Sequence, residues 1–386
     1  MRRRPARYYL WISLVVLLIS GLAFVGCGGD ATTTTAAPTD TTVGATETTA
    51  GTTETTAAAV DLKFAESNPV ASNQHQMAFS YGKSEMAKLV GAEFITADAN
   101  LTPAKQVTDI DTFISQKVNG ITSWTLDQGA ATAVYQRAQD AGIPVVTENS
   151  PGDFVTTVFA QEQNMTRKAQ IDAAEWFAEV YPGGKMFVIG GPPVPYILYV
   201  SKNMEEEGAA AGLTVLSRQE NMTDQANGAQ VIVQDLLTKY PDVQIVWCFN
   251  DRSALGASAA LRAAGKKIYN AANPEPGAVM VTGMNGTQEA LEAVKAGIIT
   301  ATYAGQSEKV GAAEIELLAR IAKGEIAAGD VPSVVVCPYK RWDGTNVDQT
   351  SFPMDTIIEL GVLDEFLNYS TDPSMIDDFM EFVGTL

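Results

Sequence analysis

The chain of 386 residues is too long for one small hydrophobic core and has room for two compact lobes. It contains 45 acidic and 26 basic residues, which gives a net charge of −19. A surface of this sign repels phosphate backbones, so we expect no nucleic-acid partner.

The first 26 residues have the pattern of an export signal. Four arginines lie within the first seven positions, and an apolar run from Tyr8 to Val25 then leads to Gly26 and Cys27. The end of this run, Phe24-Val25-Gly26-Cys27, resembles a bacterial lipobox, whose cysteine is lipidated and becomes the first mature residue. The run is also about long enough to span a bilayer, so an uncleaved anchor is the alternative. In both cases the rest of the chain lies outside the cytoplasm, and we favour a lipid anchor on Cys27 in the bacterial cell membrane.

Residues 27–59 are expected to form a disordered tether after the lipidated cysteine. Threonine occupies 14 of the 29 positions from Ala31 to Ala59, and most of the others are alanine or other small residues. Such a composition cannot bury enough apolar surface to offset the entropy lost on ordering. A flexible chain of this length has an end-to-end distance of about 30 Å, so a folded domain attached to it can search a zone just above a membrane.

From Val60 onward, short apolar runs alternate with amphipathic helical stretches. Helical spacing is seen at 107–118, 131–141, 166–181, 196–211 and 229–237, and strand-like runs begin at 120 and occupy 143–147, 186–190, 213–216, 245–249 and 279–282. This alternation predicts right-handed β-α-β units and open parallel sheets. The expected fold class is therefore α/β, with two doubly wound parallel-sheet lobes and a ligand in the cleft beyond the carboxyl ends of their strands.

Amides, a carboxylate and one indole follow the predicted strands, where a ligand is expected. These candidates are Asn68, Trp124, Asn149, Asn250, Asp251 and Asn285. Amides donate and accept hydrogen bonds together, which suits vicinal hydroxyls, and a tryptophan face suits the apolar side of a sugar ring.

Several candidates also have a purely structural interpretation. Asn and Asp after strands form turns and helix caps, and Asp251 suits a cap of the helix predicted at 253–264 as well as it suits ligand contact. Trp124 can pack at the lobe interface instead of holding a ligand. Tyr196 and Tyr199 open the first helix of the second half, where they can close over a ligand or pack in the core.

Other conspicuous residues are assigned to structure. The single histidine, His75, is expected to be exposed, and contact with a ligand from the loop after the first strand is the alternative. Trp176 and Trp247 are expected to pack in the interior. Cys248 and Cys337 lie in apolar, strand-like runs. We expect buried free thiols there, although two cysteines outside the cytoplasm can also pair.

The order and spacing of these segments resemble the ribose- and galactose-type periplasmic binding proteins, bacterial sugar receptors of ABC importers. The resemblance runs from about Val60 to Val347 and is most specific from Tyr240 to Gly265, around Asn250-Asp251-Arg252-Ser253. Supporting segments are Gln116–Ile121, Ala141–Val146, Gly283–Gly286 and Ala301–Gln306 with Gly311.

The resemblance implies two lobes joined by a three-segment hinge that bends to close on the ligand. It assigns residues 60–163 plus 306–331 to the first lobe, 164–305 plus 332–348 to the second, and 349–386 to a helical extension. The family's ligand positions fall on Asn68, Trp124, Asn149, Asn250, Asn285 and the neighbourhood of Gln306. The implied function is delivery of a small polar ligand, most simply a sugar, to an ABC importer permease by a monomer.

The chain departs from the sugar-binding pattern at three of these positions. It has Asn149-Ser150 where relatives carry Asp-Arg, Asn285 where they carry Asp, and Gln306 one residue beyond the usual Gln. Charged hydrogen-bonding groups contribute about 1.5–3 kcal/mol each. Their loss leaves open a polar ligand other than a simple pentose or hexose.

An enzyme and a sensory receptor are the two alternative function classes. The chain lacks Cys-x-x-Cys, His-x-x-x-His, Gly-x-Ser-x-Gly and a phosphate-loop spacing, so we expect no enzyme, no cofactor and no metal site. A receptor that passes its ligand-bound form to a membrane kinase or chemoreceptor would use the same ligand chemistry, and this alternative stays open. Beyond the resemblance, Ile357, Leu360, Leu363 and Phe366 predict a helix packed on the body, and 375–383 predict another.

Overall fold

The computed structural model describes residues 61–165, 167–193 and 195–370. The export signal, Cys27, the tether and the helix predicted at 375–383 lie outside these ranges. Within them, no helix combines the length and the apolar character that a membrane crossing requires.

Two six-stranded sheets organise the chain and confirm the α/β fold class. The first sheet has the order β11-β5-β4-β3-β1-β2 and the second has the order β12-β10-β9-β8-β6-β7. The first contains β1 (Lys63–Asn68), β2 (Glu93–Asp98), β3 (Gly120–Ser123), β4 (Val145–Glu148), β5 (Thr157–Gln161) and β11 (Val334–Cys337). The second contains β6 (Lys185–Gly190), β7 (Thr214–Glu220), β8 (Ile245–Cys248), β9 (Met280–Met284), β10 (Ala301–Ala304) and β12 (Lys340–Asp343). All pairs are parallel except β10 with β12.

Helices cover both sheets. Those of the first lobe are α1 (Gln74–Val90), α2 (Pro103–Ser115), α3 (Gln128–Asp140), α10 (Ser307–Ala322) and α11 (Val362–Tyr369). Those of the second lobe are α5 (Lys168–Val180), α6 (Pro195–Ala210), α7 (Ala226–Lys239), α8 (Asp251–Ala263) and α9 (Gln288–Lys295), and the short α4 (Glu162–Met165) follows β5. The central strands are buried on both faces, which explains their continuous apolar runs.

The two lobes are connected at three places that lie side by side. The chain leaves the first sheet after β5, returns at residues 305–306 between β10 and α10, and leaves again at residues 338–339 between β11 and β12. The third crossing therefore lies later than the boundary expected after residue 331. The reason is that Val334–Cys337, a fully buried strand, pairs with β5 in the first sheet, with Val334 opposite Val158.

Helices α1 and α10 pack closely enough to fix the first lobe's side of the cleft. Gly82 on α1 lies where a Cβ would come within 1.7 Å of the Glu308 carbonyl oxygen, and Gly311 on α10 lies where one would come within 2.2 Å of the Phe79 carbonyl oxygen. Both helices begin at the cleft, so their first residues face the same region as the strand ends.

A buried charge cluster lies beneath these two helices. The Lys83 ammonium contacts the carboxylates of Glu66 at 2.9 Å and Glu314 at 3.4 Å, and it also binds Glu148. All four side chains are at most 1% exposed. The cluster joins α1 and α10 to strands β1 and β4.

The chain after β12 crosses between the lobes a fourth time. We call residues 344–361 the strap. Its turn at Val347–Gln349 packs on α9 of the second lobe, while its turn at Pro353–Asp355 packs on α1 and α10 of the first. The strap ends at α11, whose Leu363 and Phe366 are buried as predicted. Ile357 and Leu360 are 82% and 63% exposed, contrary to expectation, because the helix begins only after Gly361.

The interior assignments are confirmed for Trp247 and for the two cysteines, but only in part for Trp176. Trp247 is 1% exposed in the core of the second lobe. Cys248 and Cys337 are buried free thiols in different sheets. Trp176 is partly buried against the same core, with the Arg341 guanidinium 4.0 Å from its ring centre.

Candidate functional site

A cavity of about 440 Å³ lies between the carboxyl ends of the two sheets. Both lobes contribute to its wall, as the sequence pattern predicted for the cleft. Its polar or aromatic lining residues are Asn73, His75, Gln76, Trp124, Thr125, Asn164, Tyr196, Thr223, Asp224, Phe249, Asn250 and Asn285. Apolar residues fill the rest of the wall, including Val70, Leu101, Leu126, Ile197, Val200 and Met222.

Aromatic rings from both lobes meet at this cavity. Trp124 follows β3, and its ring centre lies 5.9 Å from that of Tyr196 at the start of α6. On its other side, Trp124 makes edge contacts with His75 at 5.9 Å and Phe79 at 6.1 Å. Trp124 is only partly exposed, so it packs at the lobe interface and lines the cavity at the same time.

Asn250 and Asp224 form a polar corner on the second lobe. Asn250 caps α8, because its Oδ1 accepts a hydrogen bond of 2.8 Å from the Ser253 amide. Its Nδ2 donates to Asp224 Oδ1 at 2.5 Å. Burial raises the pKa of Asp224, while the Asn250 bond and the nearby Arg252 lower it in part.

Asn285 lies on the turn after β9 and lines the same cavity. Its backbone has φ +113°, and its amide donates to the Tyr303 carbonyl at 2.8 Å. Within the described residues, its side chain has no hydrogen-bond partner. The sequence-predicted residues that the structure brings together at the cavity are therefore Trp124, Tyr196, Asn250 and Asn285.

Asn68 and Asn149 use their amides inside the first lobe and are absent from the described cavity wall. Asn68 donates to Ser80 Oγ at 3.0 Å and accepts from the Val70 amide at 2.9 Å. Asn149 exchanges two hydrogen bonds with Gln161, of 2.9 and 2.7 Å. These bonds tie strand ends together.

Asp251 is also engaged within the protein. Its carboxylate accepts hydrogen bonds from Thr287 N and Oγ1 at 2.8 and 2.9 Å and from Thr302 Oγ1 at 2.6 Å. Burial raises its pKa to about 7. Asp251 therefore braces the turn that carries Asn285, and the cap predicted for it is supplied by Asn250.

Gln306 and Tyr199 lie away from this cavity. Gln306 has φ +50° and donates to the Pro338 carbonyl at 3.4 Å, so it links the second and third crossings. It lines a separate cavity of about 260 Å³ beside the strap. Tyr199 is 8% exposed and belongs to the core of the second lobe.

His75 is buried, and the expectation that it is exposed is wrong. It is 8% exposed because its ring makes edge contacts with Trp124 and with Phe79 one turn further along α1. Its Nδ1 lies 3.0 Å from Ser307 Oγ, which accepts a hydrogen bond of 3.1 Å from Gln161 Nε2. Burial lowers the pKa of His75 to about 4, so the imidazole is neutral at pH 7.

The sequence pattern does not identify Asp224 and Thr223 as site residues. It predicts a strand at 213–216, whereas β7 continues to Glu220 with polar residues that obscure its end. Both residues follow this true strand end, where site residues are expected. Phe249 was missed because it ends an apolar run that predicted only core.

The comparisons with known proteins agree with this geometry. A family model described as periplasmic binding protein domain matches residues 64–326. The ribose import binding protein of Salmonella typhimurium strain LT2 is 28% identical over 256 residues, which cover 65% of this chain and 81% of that protein.

Solved structures share the fold. A Bacillus halodurans ABC transporter solute-binding protein with bound myo-inositol has a TM-score of 0.63 at 22% identity, over 75% of this chain and 96% of that one. An Actinobacillus succinogenes ABC transporter periplasmic solute-binding protein with bound D-allose has a TM-score of 0.66 at 20% identity, over 75% of this chain and 100% of that one. At these identities the likeness shows the architecture.

Proposed function

Because the chain belongs to the periplasmic binding protein family, we propose that it captures a small polar solute outside the cytoplasm and delivers it to an ABC importer permease. Solute binding is the role of the family, and the ribose import binding protein is one of the relatives that supports a sugar-like ligand. The observation that carries the proposal is the cavity of about 440 Å³, which takes its wall from both lobes. A ligand there would be sensed by both lobes together.

Closure of the lobes is the proposed response to binding. A ligand that contacts Trp124 on one side and Asn250 on the other favours the closed arrangement by its differential affinity for that state. The neighbouring crossings at 305–306 and 338–339 suit a hinge, because few backbone torsions would have to change there. The importer would then recognise the closed form.

The ligand-binding proposal is tested by substituting the aromatic wall. A panel of sugars, polyols and nucleosides is first screened by thermal shift, since a ligand at 100 times its Kd adds about 2.7 kcal/mol of stability. Trp124→Ala should weaken binding of the best ligand at least tenfold in calorimetric titration, because it removes a large apolar face.

Trp176→Ala is the matched control. Trp176 packs beside the core and Arg341, outside the described wall of the cavity, so this variant should lose stability and keep its affinity within about threefold. Equal affinities for wild type and Trp124→Ala would place the ligand elsewhere. Recovery of a chemically changed ligand above one equivalent would contradict a pure binding role.

Membrane attachment is the second part of the proposal. The arginine-rich start, the apolar run and Cys27 support a lipidated N-terminus followed by the Thr- and Ala-rich tether. Stable attachment by acyl chains requires more than one chain. In a bacterial host, Cys27→Ser should release the protein from the membrane fraction and remove the lipid mass from its N-terminus; unchanged retention and mass would refute the anchor.

A further inference from the structure

Within the described cavity wall, the charge at neutral pH comes from one carboxylate. Among the lining residues that the structure describes, Asp224 is the single side chain that carries a formal charge at neutral pH, since His75 stays neutral. No lysine or arginine belongs to this set. A carboxylate, phosphate or sulfate on the ligand would therefore meet Asp224 with no cation to offset it.

The Asp224 carboxylate is held in place but not neutralised. Asn250 fixes Oδ1 at 2.5 Å and is itself fixed by capping α8. Asn221 stabilises the turn that carries Asp224. Its Nδ2 donates to the Gln225 carbonyl at 2.9 Å, which closes the turn, and to Ser253 Oγ at 3.0 Å, which attaches the turn to α8. Within the described part of the chain, Oδ2 of Asp224 has no hydrogen-bond partner and no salt bridge includes this residue.

Arg252 is the cation that acts on Asp224, and the two residues share the wall of a small neighbouring pocket with Glu289. Arg252 does not line the large cavity, and its guanidinium donates to Gln225 Oε1 at 3.4 Å. Its influence on Asp224 is a secondary one beside that of burial. The carboxylate thus remains available to a positive group inside the cavity.

Aromatic rings provide a second, independent reason to expect a cation. Trp124, Tyr196 and Phe249 all line this cavity, and the faces of aromatic rings attract ammonium groups. The Phe249 ring lies against Gly191, where a Cβ would come within 2.4 Å of it, so the ring has a fixed seat. An ammonium group near Asp224 would be stabilised by the carboxylate and by these rings together.

We propose that the solute is a sugar or cyclitol that carries a protonated amino group, which Asp224 binds through its free oxygen. This inference rests on the proposed function, since it names the class of solute for the same cavity. The hydroxyls of such a ligand would use the Asn285 amide and other neutral polar groups of the wall. Neutral sugars would bind more weakly, and sugar acids or phosphates would be rejected.

The test uses ligand pairs that differ only at the amino position. Calorimetric titration of the purified full-length protein compares D-glucosamine with D-glucose, D-galactosamine with D-galactose, and an aminocyclitol with myo-inositol. At least one amino member should bind ten times more tightly than its hydroxyl counterpart or better. N-acetylation of that ligand removes its charge and should abolish the preference without any change to the protein.

Asp224→Asn should reduce the amino-to-hydroxyl affinity ratio to less than three. Asp235→Asn, which removes the same charge from the exposed side of α7, is the matched control and should leave the ratio unchanged. If hydroxyl members bind as tightly as their amino counterparts in every pair, the amine is not recognised and solute binding still stands. If no member of either class binds, this inference is overturned, while the proposed function is decided by the wider panel of sugars, polyols and nucleosides.

Discussion

His75 is a buried neutral imidazole next to the cavity, and its burial has a measurable consequence for pH. Its pKa falls from 6.5 to about 4 on folding. Between these values the unfolded chain binds more protons than the folded one, so this residue makes stability rise as the pH rises from about 4 to about 6.5. Below pH 4 the lost contribution amounts to about 3 kcal/mol.

The chain contains one histidine, which makes this prediction direct to check. The imidazole signal in an NMR titration should change near pH 4 instead of near 6.5. The free energy of unfolding of wild type, measured relative to His75→Gln, should fall as the pH is lowered through the same window. A midpoint near 6.5 would mean that the imidazole is solvated.

Lys83 is the single cation among three buried carboxylates, so its removal should be costly. Burial lowers the pKa of its ammonium, but Glu148, Glu66 and Glu314 raise it by more. Lys83→Met fills the space and leaves the carboxylates unpaired, and we expect a loss of about 3–5 kcal/mol in urea unfolding. The exposed Lys105, paired with Asp109 on α2, is the control, and Lys105→Met should change stability by less than about 1 kcal/mol.

The residues that follow strands could be predicted from the sequence, but not the use of their side chains. Trp124, Asn250 and Asn285 reach the cavity as expected. Asn149 does not, because Gln161 from the next strand occupies its amide, and such pairing depends on which strands become neighbours. The Asp251 carboxylate likewise accepts hydrogen bonds from Thr287 and Thr302, which lie 36 and 51 residues away in sequence.

Helices α1 and α10 approach each other closely, and glycine on each helix makes this contact possible. Gly82→Ala would place a methyl group 1.7 Å from the Glu308 carbonyl oxygen, so the helices must separate. We expect a loss of about 1–3 kcal/mol in urea unfolding, since overpacking forces backbone shifts.

Gly129→Ala is the matched control on another helix. A Cβ at Gly129 meets only Asp127 Oδ1 at 3.4 Å, and alanine favours the helix by up to about 1 kcal/mol. This variant should be neutral or slightly stabilised. Equal effects of the two substitutions would contradict the close approach of α1 and α10.

Strand and helix types were predicted well, and their ends less well. Runs such as Ile245–Cys248 are apolar because both faces of the sheet are covered, which leaves a clear signal. An edge strand lacks such a continuous apolar run. The edge strand β7 mixes polar and apolar residues, so the sequence pattern predicts that it ends at residue 216, although it continues to Glu220. The assignment of β11 to the first sheet depends on pairing with β5, which no local pattern records.

At the scale of the whole molecule, the strap is a short fourth connection between two lobes that the chain already joins at three crossings. Phe352 packs with the core of the second lobe, and the Lys295 ammonium lies 5.0 Å from its ring centre. Thr356 is held on the first lobe, where its carbonyl accepts from Tyr81 Oη at 3.0 Å. Four residues span at most about 14 Å, so the strap limits how far the lobes can separate on that side.

Lengthening the strap should therefore weaken ligand binding. Six Gly-Ser residues inserted after Pro353 should increase the radius of gyration of the unliganded protein in small-angle scattering. They should also raise the Kd severalfold, because the unliganded lobes then populate more open states and binding must shift this population to the closed one. The same insertion after Gly329, in an exposed turn of the first lobe, is the control and should change neither quantity. Unchanged scattering for the strap insertion would show that the three crossings alone set the opening.

The two cysteines within the sheets make this chain suited to optical labelling. Cys248 and Cys337 are fully buried, and burial raises the pKa of both thiols well above the usual range, so neither presents a reactive thiolate. In a chain with Cys27→Ser, a cysteine introduced at the 82% exposed Ile357 would be the sole target for a fluorescent maleimide. A dye on the strap would report lobe movement as a change in emission, and the protein itself would then serve as the detector in a search for its own ligand.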